Sequence, residues 1–275
     1  MIIRRKEMEQ LSADIRRIID GQAVDLRDNL EGRLSILKND IHTLASRLNE
    51  QADNLQKEKI ALADTLADIS HQLKTPLTAM IVMVELLENA PTDKAAEFIM
   101  NLKQGLTQTG WLVNSLLKMA KLESGSVVFS RMDITANELL QTALQPLQIL
   151  LDIKNQNVIL AGDENIVFNC DKNWTAEALT NIIKNASEHS PEGSTITLAA
   201  GSNPIANWLT VTDNGKGIPI AEIKSIFKRF NNNSQKGTGI GLPLALAIMQ
   251  GQNGDIEVGG GAEHGATFTL KFYYR

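Results

Sequence analysis

The histidine at position 71 lies in the segment 69–77, which reads Ile-Ser-His-Gln-Leu-Lys-Thr-Pro-Leu. Apolar residues around it repeat with heptad spacing. With Leu66 at position a and Ile69 at position d, His71 falls at position f, which faces away from a partner helix. An imidazole exposed to water is largely neutral near pH 7 and can accept a phosphoryl group. Pro76 removes one backbone donor and is predicted to bend the helix one turn later.

Two asparagines about a hundred residues downstream have a spacing that suits a metal-nucleotide site. Asn181 and Asn185 are four residues apart on a predicted helix and share one of its faces. Their amide oxygens can bind Mg²⁺ beside a triphosphate without adding negative charge. Either residue alone would more commonly be a helix cap or a solvated side chain. His189, at the end of the same helix, is a candidate for the pocket lining.

A first glycine-rich turn, Asp-Asn-Gly-Lys-Gly at 213–217, follows a β-like run. Gly215 and Gly217 permit a tight turn, and Asp213 can accept a hydrogen bond from the exocyclic amine of adenine. On the last predicted strand, the hydroxyl of Thr267 can reach the edge of a base. The alternative for residues 213–217 is an ordinary Asp-Asn-Gly turn with no role in binding.

A second glycine-rich turn, Gly-Thr-Gly-Ile-Gly at 237–241, opens a helix at Leu242. Free backbone amides at a helix N-terminus favour phosphate, so Gly237, Thr238, Gly239 and Gly241 are candidate phosphate-binding residues. The spacing fits neither a Walker A loop nor a Gly-x-Gly-x-x-Gly dinucleotide motif.

Charge and composition exclude several functions. The net charge of -5 argues against sequence-independent nucleic-acid binding. The single Cys170 excludes an internal disulfide, and the spacing of His, Cys and acidic residues indicates no zinc site. No run approaches the roughly 20 apolar residues that cross a bilayer. The basic start, Met-Ile-Ile-Arg-Arg-Lys, is typical of the inner flank of a membrane helix, although a plain charged terminus remains the alternative.

The pattern along the chain predicts three parts. Residues 1–52 are predicted to form coiled-coil helices, with heptad spacing that resumes at Leu34 after an interruption at Gly21. Residues 53–125 read as two heptad helices, near 52–87 and after a turn at 88–94, with a C-terminal cap at Gly125. Two such helices expose a long apolar stripe, so we expect a dimeric four-helix bundle rather than a bundle within one chain.

Residues 126–275 alternate between short β-rich runs and helices and are predicted to form an α/β sandwich. The predicted strands are 158–160, 166–169, 195–199, 208–212, 255–258 and 267–273. The predicted helices lie near 137–151, 172–190 and 242–250. The fold class is therefore multidomain, with α and α+β parts.

The motifs, taken in order over about residues 60–275, resemble those of the sensor histidine kinases of two-component systems. His71 matches the H box, Asn181 to Asn185 the N box, and the two turns the glycine boxes. The segments 111–113 and 122–125 also look like family segments, as does 226–230, the F box that ends at Phe230. Residues 31–37 resemble the start of the second helix of a HAMP signal-relay module.

The resemblance implies an ATP-dependent protein-histidine kinase with a dimerisation and phosphotransfer bundle and a Bergerat-type ATP-binding domain. It implies ATP and Mg²⁺ as cofactors and, as partners, a second copy of the chain and a response regulator, with no nucleic acid. His71 would be the phosphoacceptor, Asn185 the magnesium ligand and Asn181 its support. Asp213 would bind adenine, and Thr75 would position water when phosphate is removed from the regulator. We expect this chain to be cytoplasmic, within a parent protein anchored in the bacterial cell membrane upstream of residue 1.

Three departures from the family pattern stand out. Many members carry an acid directly after the histidine, where it acts as a base. This chain has Gln72 there, which cannot accept a proton. Either Asp68 takes the place of that base or the imidazole needs little help from a base. Glu188 occupies a position where lysine is frequent, so the phosphate charge would be met by a cation elsewhere, and the candidates are Lys184, Lys228 and Arg229. The lid between residues 230 and 237 is short.

Two other functions stay open at this point. One is a dimeric signalling scaffold whose nucleotide pocket is degenerate. The other is an ATPase of the same nucleotide-binding superfamily that has no histidine acceptor, against which the heptad segment around His71 counts.

Overall fold

The computed structural model describes residues 5–19, 22, 33–88, 91–231, 238–260 and 265–274. The chain forms two compact units, residues 1–71 and 72–275. The boundary falls inside a continuous helix rather than in a loop. Among the described helices, none combines the length and apolar character that a membrane crossing requires.

Helix α1 (Arg5–Ile19) and helix α2 (Arg33–Glu88) are the first two elements. The prediction of separate helices at 34–48 and 52–87 is wrong, because α2 runs through both heptad stretches; no glycine or proline separates them. Helix α2 also continues through Pro76, where the bend stays a prediction. The interruption at Gly21 and the start of the HAMP-like segment, residues 31–32, lie outside the described residues.

Helix α3 (Thr92–Glu123) is the second helix of the predicted hairpin. It ends at Ser124, and Gly125 has a φ of 64°, the left-handed conformation expected just past a helix end. The buried side chain of Met80, on α2, lies against Gly105 of α3. The two helices therefore meet where one of them has no side chain.

The rest of the chain alternates between strands and helices. Its elements are β1 (Arg131–Thr135), α4 (Ala136–Leu144), α5 (Gln148–Ile153), β2 (Asn157–Gly162), β3 (Val167–Asp171), α6 (Lys172–His189), β4 (Thr195–Ser202), β5 (Ala206–Thr212), α7 (Gly241–Gly251), β6 (Gly254–Gly259) and β7 (Thr267–Tyr273). Strand β1 is absent from the sequence-based prediction. The predicted helix at 137–151 is divided by a 3₁₀ turn at 145–147, which contains Pro146.

Five strands form one sheet in the order β2-β4-β5-β7-β6. Strands β2 and β4 are parallel, and the other neighbours are antiparallel. Strands β1 and β3 form a separate antiparallel pair. Side chains alternate between buried and partly exposed along β4, β5 and β7, as expected for a sheet with one covered face.

Helices α6 and α7 contribute the side chains that pack into the core with the sheet. Leu179, Ile182 and Ile183 of α6 are fully buried, as are Leu209 and Phe268 of the sheet. Each such side chain contributes about 1.5–3 kcal/mol by leaving water. The predicted combination of a helical N-terminal part with a C-terminal α/β sandwich is confirmed.

Asp171 caps the start of α6 and joins it to the end of α7. Its Oδ1 accepts hydrogen bonds from the amides of Asn173 (3.0 Å) and Trp174 (3.1 Å), and its Oδ2 accepts one from Ser130 (2.8 Å). The Asp171 amide donates to Oε1 of Gln252, 2.7 Å away. These bonds fix the two helices that border the cavity described below.

Candidate functional site

A cavity of about 1100 Å³ lies within the second unit, bordered by α6, by the start of α7 and by the segment after β5. Part of its wall comes from helix α3. The predicted site residues that line it are Asn181, Lys184, Asn185, His189, Asp213, Gly217, Thr238, Gly239, Gly241 and Leu242. The structure thus brings together residues from three motifs that are far apart in the sequence.

The two asparagines of α6 face this cavity with different degrees of burial. Asn181 is only 5% exposed, and its Nδ2 donates to the Glu177 carbonyl at 2.9 Å. That bond turns Oδ1 towards Gly241, at the start of α7. Asn185, one turn later, is half-buried. The pair therefore offers hard amide oxygens, one held in orientation by the helix backbone, which fits a Mg²⁺ ion bound with few protein ligands.

Asp213 is a buried carboxylate at the end of β5. Its Oδ1 accepts hydrogen bonds from the amides of Gly215 (2.8 Å) and Ala266 (3.1 Å), and it is 3% exposed. Both bonds use the same oxygen and fix the plane of the carboxylate. A carboxylate held in this way can accept a further hydrogen bond from an amine in the cavity.

Two glycines make room for Asp213. A Cβ at Gly215 would lie 2.6 Å from the carbonyl oxygen of His189, closer than real side chains approach. At Gly265, where φ is 78°, a Cβ would overlap the backbone carbonyl of Asp213. Gly265 is not among the predicted site residues, although Thr267, two positions later, is. A glycine just before the last strand is a weak sequence signal. It indicates a close approach of two backbones only when the pairing of that strand is known.

The start of α7 presents backbone amides to the cavity. Ile240 precedes the first helical residue, Gly241, and no side chain caps this end of the helix. The Phe230 amide donates a hydrogen bond to the Gly239 carbonyl at 2.9 Å, which places these two residues next to each other. Gly237, a predicted phosphate-binding residue, lies outside the described residues.

Lys184 has two neighbours inside the cavity. Its Nζ lies 4.3 Å from the ring centroid of Trp111, on α3, and 3.8 Å from Oε1 of Glu188, one turn along α6. Burial raises the pKa of the Glu188 carboxyl, and Lys184, His189 and Lys154 oppose this shift by charge. The cavity wall thus carries a cation that is close to both a carboxylate and an indole ring.

Several predicted site residues are not among the described residues that line the cavity. Gly215 lies behind Asp213 and supports it. Lys228 is exposed, and Arg229 forms an ion pair with Glu123 at the end of α3. Phe230 contributes its backbone amide, and the Thr267 hydroxyl lies 3.0 Å from that of Thr212 on the neighbouring strand. The roles of these residues toward a nucleotide therefore stay predictions.

The residues around His71 lie on α2 and differ in exposure. His71, Asp68 and Thr75 are exposed, and Gln72 is half-buried. Leu62 and Leu66, at positions d and a of the same helix, are exposed as well, so the heptad position of His71 stays a prediction. Asp68 precedes it by three residues and Thr75 follows it by four, so the helix carries all three on adjoining parts of one face.

Other cavity residues were missed at the sequence level. Ile218, Pro219 and Ile226 supply apolar wall, and Glu222 and Asn231 supply polar wall. From α3, the residues are Gln104, Thr107, Gln108 and Trp111. The place of the α3 residues at the cavity has no local signal, because only the packing of α3 on the sandwich brings them there.

Two family models match this chain. One, described as His Kinase A (phospho-acceptor) domain, matches residues 61–125, and one described as histidine kinase-, DNA gyrase B- and HSP90-like ATPase matches residues 170–275. Both matches begin inside the predicted domains 53–125 and 126–275, whose boundaries stay predictions.

Curated relatives match most of the chain at moderate identity. The heme sensor protein HssS of Staphylococcus saprophyticus is 27% identical over 271 residues, covering 97% of this chain and 57% of that protein. The sensor histidine kinase WalK of Bacillus subtilis is 28% identical over 221 residues, covering 76% of this chain and 36% of that protein. The chain thus spans 57% and 36% of these two relatives.

Solved structures share the fold. Histidine kinase ThkA, solved in complex with the response regulator TrrA, superposes with a TM-score of 0.67 at 18% identity and covers 82% of this chain and 66% of that one. Histidine kinase AdeS of Acinetobacter baumannii superposes with a TM-score of 0.60 at 19% identity and covers 74% of this chain and 97% of that one.

Proposed function

The chain belongs to the sensor histidine kinases of two-component systems, since it joins a phospho-acceptor domain to a histidine kinase-like ATPase domain, and we propose that it is an ATP-dependent protein-histidine kinase. The cavity binds Mg-ATP, and the γ-phosphoryl group passes to an imidazole nitrogen of His71. From there it passes to an aspartate of a response regulator. The observation that carries this proposal is a single cavity that combines a buried acid, an asparagine pair and an uncapped helix N-terminus.

Each part of the cavity suits one part of the nucleotide. Asp213, held through Oδ1, accepts the exocyclic amine of adenine. The amides at the start of α7, near Gly239 and Gly241, bind phosphate oxygens. Asn185 would hold Mg²⁺ with support from Asn181, and the ion when bound would neutralise phosphate charge. An ADP-like ligand would thus lie between the end of β5 and the start of α7.

The transfer needs an in-line nitrogen nucleophile and a group that takes its proton. The lone pair of the imidazole nitrogen forms a bond to the γ-phosphorus, while the bond from phosphorus to the β–γ bridging oxygen breaks and ADP leaves with that electron pair. The ring N–H proton passes to a base. Asp68, exposed three residues before His71, is the base we propose, and Gln72 orients the ring without taking a proton.

Helices α2 and α3 expose apolar side chains that a second copy of the chain can cover. On α2, Leu55, Leu62 and Leu66 expose 66, 61 and 55% of their surface, and on α3, Leu106 and Leu117 expose 63 and 57%. Apolar stripes of this length on two helices are stable in water when another pair of helices covers them. We therefore propose a homodimer with a four-helix bundle.

The regulator and the membrane are further parts of the proposal. ThkA was solved with a response regulator, and we propose a regulator of the same class as the partner of this chain. Thr75 positions the water that removes phosphate from that regulator. We also propose that the parent protein is anchored in the bacterial cell membrane, with this chain on the cytoplasmic side and a HAMP-like segment at residues 1–52.

Incubation with γ-³²P-ATP and Mg²⁺ tests the proposal. We expect label that survives base and is lost in acid, as a phosphoramidate is. His71→Gln should abolish it, whereas His42→Gln, the same change on the same helix, should leave it intact. Nucleotide binding without any label in the unmodified chain would favour the signalling scaffold. Label that persists in His71→Gln would place the acceptor elsewhere.

A further inference from the structure

The ammonium group of Lys184 has two neighbours in the cavity. Its Nζ lies 4.3 Å from the ring centroid of Trp111 and 3.8 Å from Oε1 of Glu188. The side chain is about one-third exposed, so the ammonium is partly desolvated yet open to the cavity. Neither neighbour contacts it at the short distance of a strong charge-assisted hydrogen bond.

The other cations considered for phosphate are placed less suitably. Arg229 is engaged by Glu123, and exposed Lys228 does not line the cavity. Among the described lining residues, the lysines are Lys184 and Lys216, and Lys216 is exposed on its loop. Lys184 alone of these stands on α6 between Asn181 and Asn185, the residues proposed to support the metal-phosphate group.

We propose that Lys184 is the cation that binds the nucleotide phosphates, and that Trp111 of helix α3 holds the same ammonium group when nucleotide is absent. The proposal rests on the proposed function. Phosphate oxygens offer the ammonium a stronger partner than an indole face, since charge-assisted hydrogen bonds exceed partly exposed cation–π contacts. Nucleotide binding therefore removes one contact between α3 and the ATP-binding sandwich.

Two ion pairs between α3 and the sandwich lie outside the cavity lining. Lys118 Nζ lies 2.8 Å from Oε1 of Glu177, and Glu123 pairs with Arg229. None of these four residues lines the cavity. Phosphate binding thus removes the contact between Lys184 and Trp111 and leaves the two ion pairs intact. Helix α3 and the sandwich can then shift relative to each other while the ion pairs hold them together.

Calorimetric titration with Mg-ADP and with adenosine, which has no phosphates, tests the first half of the proposal. Loss of a charge-assisted bond predicts that Lys184→Met binds Mg-ADP about ten- to a hundredfold more weakly. Adenosine affinity should be unchanged, and Lys184→Arg should restore most of the Mg-ADP affinity. The matched control is Lys172→Met, the same change at the far end of α6, where the lysine pairs with Glu138.

Three results would overturn the assignment of Lys184. Equal affinities of Lys184→Met and the unmodified chain for Mg-ADP would show that the ammonium does not bind phosphate. An equal loss for adenosine would show that the substitution deforms the pocket. If the unmodified chain bound neither ligand, the proposed function itself would fail, and this inference with it.

Fluorescence of Trp111 tests the second half. In a Trp174→Phe, Trp208→Phe background, Trp111 is the remaining tryptophan of the three in the chain. Saturating Mg-ADP should change its emission, because the ammonium leaves the ring, and adenosine should not. Lys184→Met in the same background should have the emission of the nucleotide-bound form from the start and show no further change. If Mg-ADP still changed the Trp111 emission in Lys184→Met, Lys184 would not be the group that leaves the ring. If Mg-ADP changed no emission in the Trp174→Phe, Trp208→Phe chain, the ammonium would not leave Trp111 on nucleotide binding.

Discussion

Replacement of Asp213 by asparagine should invert the base preference of the cavity while the fold stays intact. Asparagine retains one carbonyl oxygen, which can keep both hydrogen bonds now made by Oδ1, from Gly215 at 2.8 Å and Ala266 at 3.1 Å. Its amide nitrogen then takes the position of Oδ2. A donor thus faces the cavity where the carboxylate presented an acceptor.

The magnitude follows from the change of hydrogen-bond partners. A hydrogen bond to a charged group contributes about 1.5–3 kcal/mol, so ATP should bind at least about tenfold more weakly to Asp213→Asn. Inosine triphosphate carries a carbonyl where adenine carries the amine, and it should gain affinity by accepting from the new amide. The ratio of ATP to inosine triphosphate affinity should therefore fall by more than a hundredfold, about 3 kcal/mol.

Calorimetric titration with both nucleotides and urea denaturation measure these effects side by side. Asp213→Ala is the contrasting variant, because it leaves the two amides without their acceptor and should cost about 2–4 kcal/mol of unfolding free energy. Asp213→Asn should cost less than about 1 kcal/mol. An unchanged preference for ATP in a folded Asp213→Asn chain would refute the assignment of this acid to the adenine amine.

Three further predictions concern turnover, folding and pH. Thr75→Ala should slow removal of phosphate from the regulator at least about tenfold without reducing label at His71, since the hydroxyl positions water only in the first reaction; parallel loss of both activities would contradict this role. Asp171→Ala should lower the unfolding free energy, measured in urea, by about 1–2 kcal/mol, because the first amides of α6 lose their cap. Asp171→Asn is the control and should cost less, because its side-chain oxygen can still accept from these amides. Equal stability of the two variants would contradict the capping role. Burial raises the pKa of the Glu188 carboxyl, so this group holds its proton more tightly in the folded chain than in the unfolded chain. The unfolding free energy of the unmodified chain, compared with that of Glu188→Gln, therefore falls as pH rises through the folded-state pKa. Glu188→Gln should therefore have the higher melting temperature at pH 8 and no advantage at pH 4; the reverse order would show that the carboxylate stabilises the fold.

Local patterns were sufficient for most of the fold. Heptad spacing predicted the long helices of the N-terminal part, and apolar alternation located all five strands of the larger sheet. The turn residues also had local signals, since a helix C-terminus followed by glycine predicts the left-handed φ found at Gly125. These features depend on neighbours within one or two helical turns, which the sequence displays directly.

The missed features depend on residues that meet only in the folded chain. Strand β1 is short and partly exposed, and its partner β3 begins more than thirty residues later, so its pattern alone is weak. Arg229 carried a phosphate-binding prediction because nothing local indicates that Glu123 takes its charge. Trp111 lies in the segment 111–113 that resembles the family, but its position near Lys184 follows only from the packing of α3 on the sandwich.

The position of the phosphoryl group after incubation with Mg-ATP is the most direct test of the proposed kinase. Peptides prepared at neutral pH and fragmented by electron transfer keep the labile bond, so mass spectrometry can locate it. We expect phosphate on the imidazole of His71 and on none of the other three histidines. Phosphate at another residue, or a chain that binds ATP and stays unmodified, would contradict the proposed transfer.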